Sequence, residues 1–410
     1  MVRKLKRPKR KKEGHFNMKR KNVMICLSML LALFSAGAAT GEEVQTELET
    51  QNLSKMKTEP ETESDIQTES LGFYFDRLDT EEQFVYSEIY YQLLEEDPDI
   101  ELSSPISEDD LTDIYYDILT DHPEIFYVSP EFAMSINTET GLVETFSYIP
   151  YVEKDERKEI QAKMDEEVEN ILSIIYPSLS EYDKARMVFE YLAKNTTYNE
   201  EAEWDQSMAS VLVNREGVCA GLSKAYKYIM NKLGMECIQA NGKAGEDSMP
   251  HSWNLLKVND IWYNVDVTWG IPEFYQPGNE YFKNVINYNY FCCDDKTLYV
   301  THSSEDRDIL PDCTDNSLDY YTQLGLFFEP YSRSRMIEFF ANCIQAGQED
   351  IVVKFGSSYS LNEMVHALDN GLVEDADATI SNLLTAHASP SNLYYSADSD
   401  FYTLYVHLIY

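Results

Sequence analysis

The 410-residue sequence predicts an α+β protein, because helical and strand-like patterns occupy separate stretches of the chain. Downstream of Cys219, apolar residues recur every three or four positions, and Gly234 is a natural helix stop. Two later stretches, Pro250–Leu255 and Ile261–Trp269, alternate like strands, with a turn at Asn259-Asp260 between them. The chain is 43% hydrophobic and 13% aromatic, which is enough to build two or three folded units.

The charge of the chain excludes some classes of function. The formal net charge is −39 at pH 7, and such an acidic surface repels phosphate backbones. We therefore expect no nucleic-acid partner. No apolar run reaches the roughly 18 residues that a bilayer span needs, so a multi-span membrane protein is also excluded.

The N-terminus has the organisation of a secretory signal peptide. Residues 1–22 carry eleven Lys or Arg against one Glu, an apolar run covers Val23–Phe34, and Ser35–Ala38 are small. We expect a signal peptide over 1–38 with cleavage after Ala38, a secreted or cell-surface location, and no stable membrane insertion afterwards. An uncleaved signal anchor and a true start at Met18 stay open.

The rest of the chain divides by composition. Residues 39–72 are rich in Glu, Thr and Ser and predict a disordered acidic linker, because too little apolar area is present to offset chain entropy. We then expect an N-terminal α+β region over 73–150, a central domain over 151–310 and a C-terminal α/β unit over 311–410 in which no site is apparent.

The helices and strands outside the central hairpin follow from the same patterns. Predicted helices begin at Thr80, Ser107 and Ser180, and others cover 154–176, 333–345 and much of 360–385. Predicted strands lie near 132–137, 143–148, Ile351–Phe355, Leu393–Ser396 and Tyr402–Ile409. His122 is expected to cap a helix end and to pack, rather than to bind a ligand.

Cys219 is the first candidate for chemistry. It falls in the first turn of the predicted helix, between Gly217 and Gly221. A helix N-terminus favours negative charge and lowers the pKa of a thiol, and the thiolate is the reactive form. Taken alone, a buried structural cysteine explains the residue equally well.

The predicted hairpin brings a histidine and a carboxylate together. With its tip at Asn259-Asp260, Trp253 faces Asp266 and His251 faces Thr268, so His251 and Asp266 are diagonal neighbours on one face. The opposite face is apolar and comprises Leu256, Val258, Ile261, Tyr263, Val265 and Val267. A slip of one residue would bury Asp266 among these side chains, which opposes any other register.

The three residues together predict a nucleophile, a base and an orienting carboxylate. His251 takes or shares the thiol proton of Cys219, and Asp266 fixes the tautomer of His251 and stabilises the imidazolium. The backbone N–H of Cys219 is expected to help bind the oxyanion of a tetrahedral intermediate. Trp204 and Gln206 are the two candidates for the second donor.

The ordered motifs G-V-C-x-G, H-x-W-N and W-Y-x-V-D-x-T-W resemble the core of the transglutaminase-like superfamily. The resemblance is strong over about 180–302 and weaker over 73–150. Within the strong part, the stretch from Tyr290 to His302 is similar to the one that follows the core in bacterial members. It implies a papain-like α+β core, with a Cys-bearing helix packed on an antiparallel sheet that bears His and Asp. It also implies Cys219 as nucleophile, His251 as base and Asp266 as third member. Ala220 and Leu222 stand where acidic and aromatic residues are common, which leaves the substrate contacts open.

The expected function is that of a secreted enzyme acting on amide bonds of a protein or peptide substrate by acyl transfer or hydrolysis. Protease, deamidase and crosslinking activities stay open, as does a catalytically inactive binding module on the same fold. We expect no cofactor and no metal, because the cysteine spacings match no zinc motif. Beyond Cys26, a free Cys219 leaves five cysteines, so at most two disulfides can form.

Overall fold

The computed structural model describes residues 2–5, 70–95, 98–272, 281–282, 285–304, 306–382 and 387–410. Most of the predicted signal peptide and all but the last residues of the predicted linker lie outside these ranges. Within 1–38 the structure describes strand β1, Val2–Leu5, which pairs antiparallel with a strand of the N-terminal region.

The N-terminal region combines two helices with a four-stranded sheet. Its elements are helices α1 (Thr80–Glu95) and α2 (Glu108–Asp121) and strands β2 (Asp99–Ile100), β3 (Val128–Ile136) and β4 (Val143–Pro150), in the sheet order β1-β3-β4-β2. Ser107 caps α2, since its hydroxyl accepts a hydrogen bond from the backbone N–H of Asp110. At the other end of α2, His122 is the C-cap residue and is buried, as the sequence predicts.

The helix that carries Cys219 lies in the central part of the chain. This part contains α3 (Arg157–Ser173), α4 (Glu181–Asn195), a π-helical turn at Ser210–Asn214 and α5 (Cys219–Lys232). A short parallel ladder between β5 (Thr197–Tyr198) and β6 (Glu216–Gly217) precedes α5 directly. The ladder fixes the backbone that leads into the first turn of α5.

A five-stranded antiparallel sheet carries the other two predicted site residues. Its strands are β7 (Cys237–Ala244), β8 (Met249–Val258), β9 (Ile261–Val265), β10 (Phe291–Cys293) and β11 (His302–Ser303), in the order β10-β9-β8-β7-β11. Asn254 pairs with Val265 and Val258 with Ile261, which is the predicted register. The predicted apolar face is buried in the core that includes residues of α4 and α5, except for Ile261, which is 41% exposed.

The second strand of the hairpin is shorter than predicted. It ends at Val265, and Val267–Gly270 form a helical turn, α6. The reason is that Asp266 caps this turn, its Oδ1 accepting a hydrogen bond of 3.1 Å from the backbone N–H of Trp269. The expected strand pairing of His251 with Thr268 is therefore wrong, although His251 and Asp266 still meet.

The C-terminal part is a second mixed layer of helices on a sheet. After the short helices α7 (Asp295–Leu298) and α8 (Tyr320–Gln323) come β12 (Phe327–Phe328), α9 (Arg333–Gln345), β13 (Asp350–Phe355), α10 (Ser358–Asp369), α11 (Leu372–Asn382), β14 (Asn392–Asp398) and β15 (Thr403–Ile409). The sheet order is β12-β13-β15-β14, with β12 and β13 parallel and the other pairs antiparallel. The ring of Phe401 packs edge-on against Tyr290, 5.2 Å between centroids, which connects this part to the central sheet.

The α+β prediction is confirmed, whereas the boundaries at 150 and 310 stay predictions, because residues 71–410 belong to one compact unit. Over the described ranges, no helix has both the length and the apolar character needed to cross a membrane.

Candidate active site

Cys219 is the first residue of α5 and is half-buried. The residue before it, Val218, is extended and donates its backbone N–H to the carbonyl of Asp205 at 2.9 Å. A Cβ on Gly221 would lie 2.8 Å from that carbonyl oxygen and 2.9 Å from the carbonyl oxygen of Ser207. The second glycine of the motif therefore lets the segment 205–207 pack directly against the first turn of α5.

The environment of Cys219 favours the thiolate. Burial raises the pKa of the thiol, but hydrogen bonds from His251 and from the backbone N–H of Ser252, with the charge of the imidazolium, outweigh burial and lower it. The other five described cysteines are also free thiols, and burial raises the pKa of each, for example to about 12 in Cys237. Of the six described cysteines, Cys219 alone has a lowered pKa, which favours the reactive thiolate form.

His251 and Asp266 are in direct contact. His251 lies on β8 and Asp266 follows β9 at once, where its backbone N–H donates to the carbonyl of Tyr290 at 2.9 Å. His251 Nε2 donates to Asp266 Oδ2 at 2.7 Å, and the carboxylate is fully buried. Burial opposes the charged form of both groups, but the charge of each favours the charged form of the other. The pKa of His251 is therefore raised and that of Asp266 lowered.

The structure thus brings together the three residues that the sequence predicts as a site. His251 uses Nε2 for the carboxylate, so its Nδ1 is left to face the sulfur of Cys219. A thiolate beside an imidazolium that a buried carboxylate orients can supply both a nucleophile and a proton donor for a leaving group.

A fourth polar residue, His302, also contacts the carboxylate. It lies on β11, and its Nε2 is 3.0 Å from the same Asp266 Oδ2. Burial lowers the pKa of His302 even though Asp266 acts in the opposite direction, which favours the neutral imidazole. In the sequence, His302 ends the stretch that resembles bacterial members of the superfamily, and no local pattern assigns it a role.

Aromatic rings enclose His302. Its ring centroid is 5.2 Å from that of Trp269 and 5.5 Å from those of Trp253 and Tyr290. The tryptophans of H-x-W-N and D-x-T-W are thus packing residues that keep water away from the back of the site. In a dry site the hydrogen bonds to Asp266 are stronger than they would be in water.

The two candidates for the second oxyanion donor lie in the segment before α5. Trp204 and Gln206 are half-buried on either side of Asp205, whose carbonyl accepts from Val218. Gln206 lines a cavity of about 340 Å³ together with Tyr151, Asp205 and residues of the N-terminal region. Neither assignment is tested by these contacts, and both stay predictions.

His251, Asp266 and His302 could in principle hold a metal ion, since one ligand atom from each lies within 4.8 Å of the others. In the structure these atoms are engaged with each other, at 2.7 and 3.0 Å, in hydrogen-bond geometry. We therefore interpret the group as a hydrogen-bonded cluster rather than a metal site.

Comparison with known proteins shows that one segment of the chain is similar to a known family. Residues 173–267 match the family model of the transglutaminase-like superfamily. No curated protein sequence matches the chain significantly.

Among solved structures, a TGase is 18% identical over 36% of this chain and 45% of its own, with a TM-score of 0.26. A candidate cysteine protease from Cytophaga hutchinsonii is 14% identical over 32% of this chain and 53% of its own, with a TM-score of 0.24. An arylamine N-acetyltransferase from Bacillus cereus with a Cys-His-Glu triad is 16% identical over 28% of this chain and 50% of its own, with a TM-score of 0.21. The chain thus spans about half the length of each of these proteins.

Proposed function

We propose that this protein, whose residues 173–267 form a transglutaminase-like core, is a thiol enzyme that acts on amide bonds of proteins or peptides. The observation that carries the proposal is the contact chain from Cys219 through His251 to the buried carboxylate of Asp266. A second observation agrees with it: among the six described cysteines, only Cys219 has a lowered pKa.

The reaction begins with attack of the Cys219 thiolate on the amide carbonyl carbon. A tetrahedral oxyanion forms, and the backbone N–H of Cys219 at the start of α5 stabilises it. His251 then gives its proton to the leaving nitrogen, the C–N bond breaks, and ammonia or an amine departs from a thioester. The neutral His251 next takes a proton from the second nucleophile, which attacks the thioester and releases the thiolate.

The second nucleophile decides the outcome. Water gives hydrolysis, which is proteolysis when the amide is in the backbone and deamidation when it is in a side chain. A primary amine gives a crosslink. Access of water to the thioester therefore decides between hydrolysis and crosslinking.

The test is incubation of the protein with a labelled primary amine and a protein mixture, followed by mass spectrometry. Incorporation of label indicates transfer, and new termini or side-chain deamidation indicate hydrolysis. The matched control is Cys219→Ala, which should abolish every product and leave the fold unchanged. Equal products from both proteins, or none from either, would discard the enzyme and favour an inactive binding module.

We also propose that the protein is exported and acts outside the cell or at its surface, on the basis of the basic and apolar segments within 1–38. The test is the N-terminal mass of protein recovered from the medium and surface of producing cells. A chain that begins at Ala39 supports the proposal. A full-length chain confined to the cell interior contradicts it.

A further inference from the structure

We propose that His302 is a positioning residue for the reaction: its imidazole holds the Asp266 carboxylate in the orientation that aims His251 at Cys219. The inference rests on the proposed function and deepens it. The position of His302 carries it, since its Nε2 and that of His251 are both within hydrogen-bond distance of Asp266 Oδ2, at 3.0 and 2.7 Å.

A consistent assignment of protons supports this role. An ionised carboxylate only accepts, so both Nε2 atoms must carry hydrogen. In a neutral His302, Nδ1 is then an acceptor, and the hydroxyl of Thr301 lies 2.9 Å from it. The hydroxyl of Tyr290 is 3.0 Å from Thr301 Oγ1 and can donate to it in turn. The hydroxyl of Thr301 has a second acceptor in the carbonyl oxygen of Leu298, but that oxygen is farther away, at 3.4 Å. With the Thr301 proton on the nearer His302 Nδ1, the hydrogen bonds run in one direction, from Tyr290 through Thr301 and His302 to Asp266.

The two oxygens of Asp266 are held from different sides. Oδ1 accepts from the backbone N–H of Trp269, and Oδ2 accepts from both imidazoles. Without His302, one lone pair of Oδ2 would be left without a donor in a buried site. The carboxylate would then gain freedom to rotate away from His251.

The pairing of strand β11 with strand β7 brings His302 within hydrogen-bond distance of Asp266. Strand β11 pairs with β7 at the edge of the sheet, with His302 opposite Ala244. A Cβ on Gly242 would lie 2.1 Å from the carbonyl oxygen of Ser303 and 2.9 Å from the ring of Trp253. The absence of a side chain at Gly242 is thus a condition for the approach of β11.

The reporter for the test is alkylation of Cys219 by iodoacetamide, which needs no knowledge of the substrate. We would measure its rate against pH for the full chain and for His302→Leu, His302→Gln and Thr301→Val. Leu removes the donor, and Gln restores an N–H near the position of Nε2. His122→Leu is the matched control, because His122 is a second buried histidine, 8% exposed, that caps α2 in the N-terminal region.

His302→Leu should slow alkylation on the order of tenfold and move the acid limb of the profile to higher pH, because Asp266 loses a donor that stabilises its ionised form. His302→Gln should recover most of the rate and the position of the limb. His122→Leu should change the melting temperature and leave the profile in place.

A His302→Leu profile equal to wild type would overturn the inference, as would equal losses in the Leu and Gln variants. If His302→Leu fails to fold, Thr301→Val decides: a slower rate with a shifted limb supports the role, and an unchanged profile overturns it. Failure of the proposed function itself is distinguishable, because wild-type Cys219 would then react no faster than an ordinary thiol.

Discussion

Replacing Asp266 by Asn tests the electrostatic basis of the site. The side chain keeps its size, but the charge that stabilises the His251 imidazolium is lost. A hydrogen bond to a charged group contributes about 1.5–3 kcal/mol, against about 1 kcal/mol for a neutral one. The difference, about 0.5–2 kcal/mol, lowers the population of the thiolate–imidazolium pair about 2- to 30-fold. The expected result is a fall of that size in the rate of Cys219 alkylation at neutral pH.

The assay is the second-order rate constant with iodoacetamide, with circular dichroism to check the fold. Asp260→Asn is the matched control, since Asp260 is exposed at the tip of the same hairpin. In Asp266→Asn the new amide oxygen can accept from an imidazole, but the amide nitrogen can only donate. An Asp266→Asn protein that folds and reacts as fast as Asp260→Asn would refute the reasoning.

Three further predictions follow from the contacts. At neutral pH iodoacetamide should label Cys219 before the five buried cysteines, as peptide mapping would show; labelling spread over several thiols would contradict this. Gly242→Ala should slow alkylation by displacing Ser303 and with it His302, and a wild-type rate would be inconsistent with that close approach. Burial and the charges of neighbouring carboxylates, Asp121 first, raise the pKa of Asp117 to about 8, so its ionisation destabilises the fold as pH rises from about 4 to 8. Asp117→Asn should therefore raise the free energy of unfolding by about 1–3 kcal/mol at pH 8, and urea unfolding that shows no gain, or a gain larger at pH 5, would refute it.

The sequence predicts the hairpin and the helix of the site because both are local. Alternation of apolar residues on either side of Asn259-Asp260 leaves one register that keeps Asp266 out of the apolar face, and that register is present. The helical stripe after Cys219 likewise determines where α5 begins and ends. His251 and Asp266 could be paired for this reason without knowledge of the rest of the chain.

The sequence does not predict the parts of the site that depend on distant pairing. His302 reaches Asp266 only because β11 pairs with β7, about 60 residues earlier in the chain, and nothing in its local pattern indicates that pairing. The sequence does not predict the helical turn after Asp266 either, because Val267, Thr268 and Trp269 have high strand propensity. The capping hydrogen bond of Asp266 overrides that preference.

Ionisation of Cys219 is the most direct test of the central claim that the sulfur and the imidazole form a charged pair at neutral pH. The ultraviolet absorbance of the thiolate, measured as the difference between wild type and Cys219→Ala across a pH titration, reports it without any reagent. We predict that the absorbance persists well below the ordinary thiol pKa of about 8.5. A single transition at or above that value would contradict it.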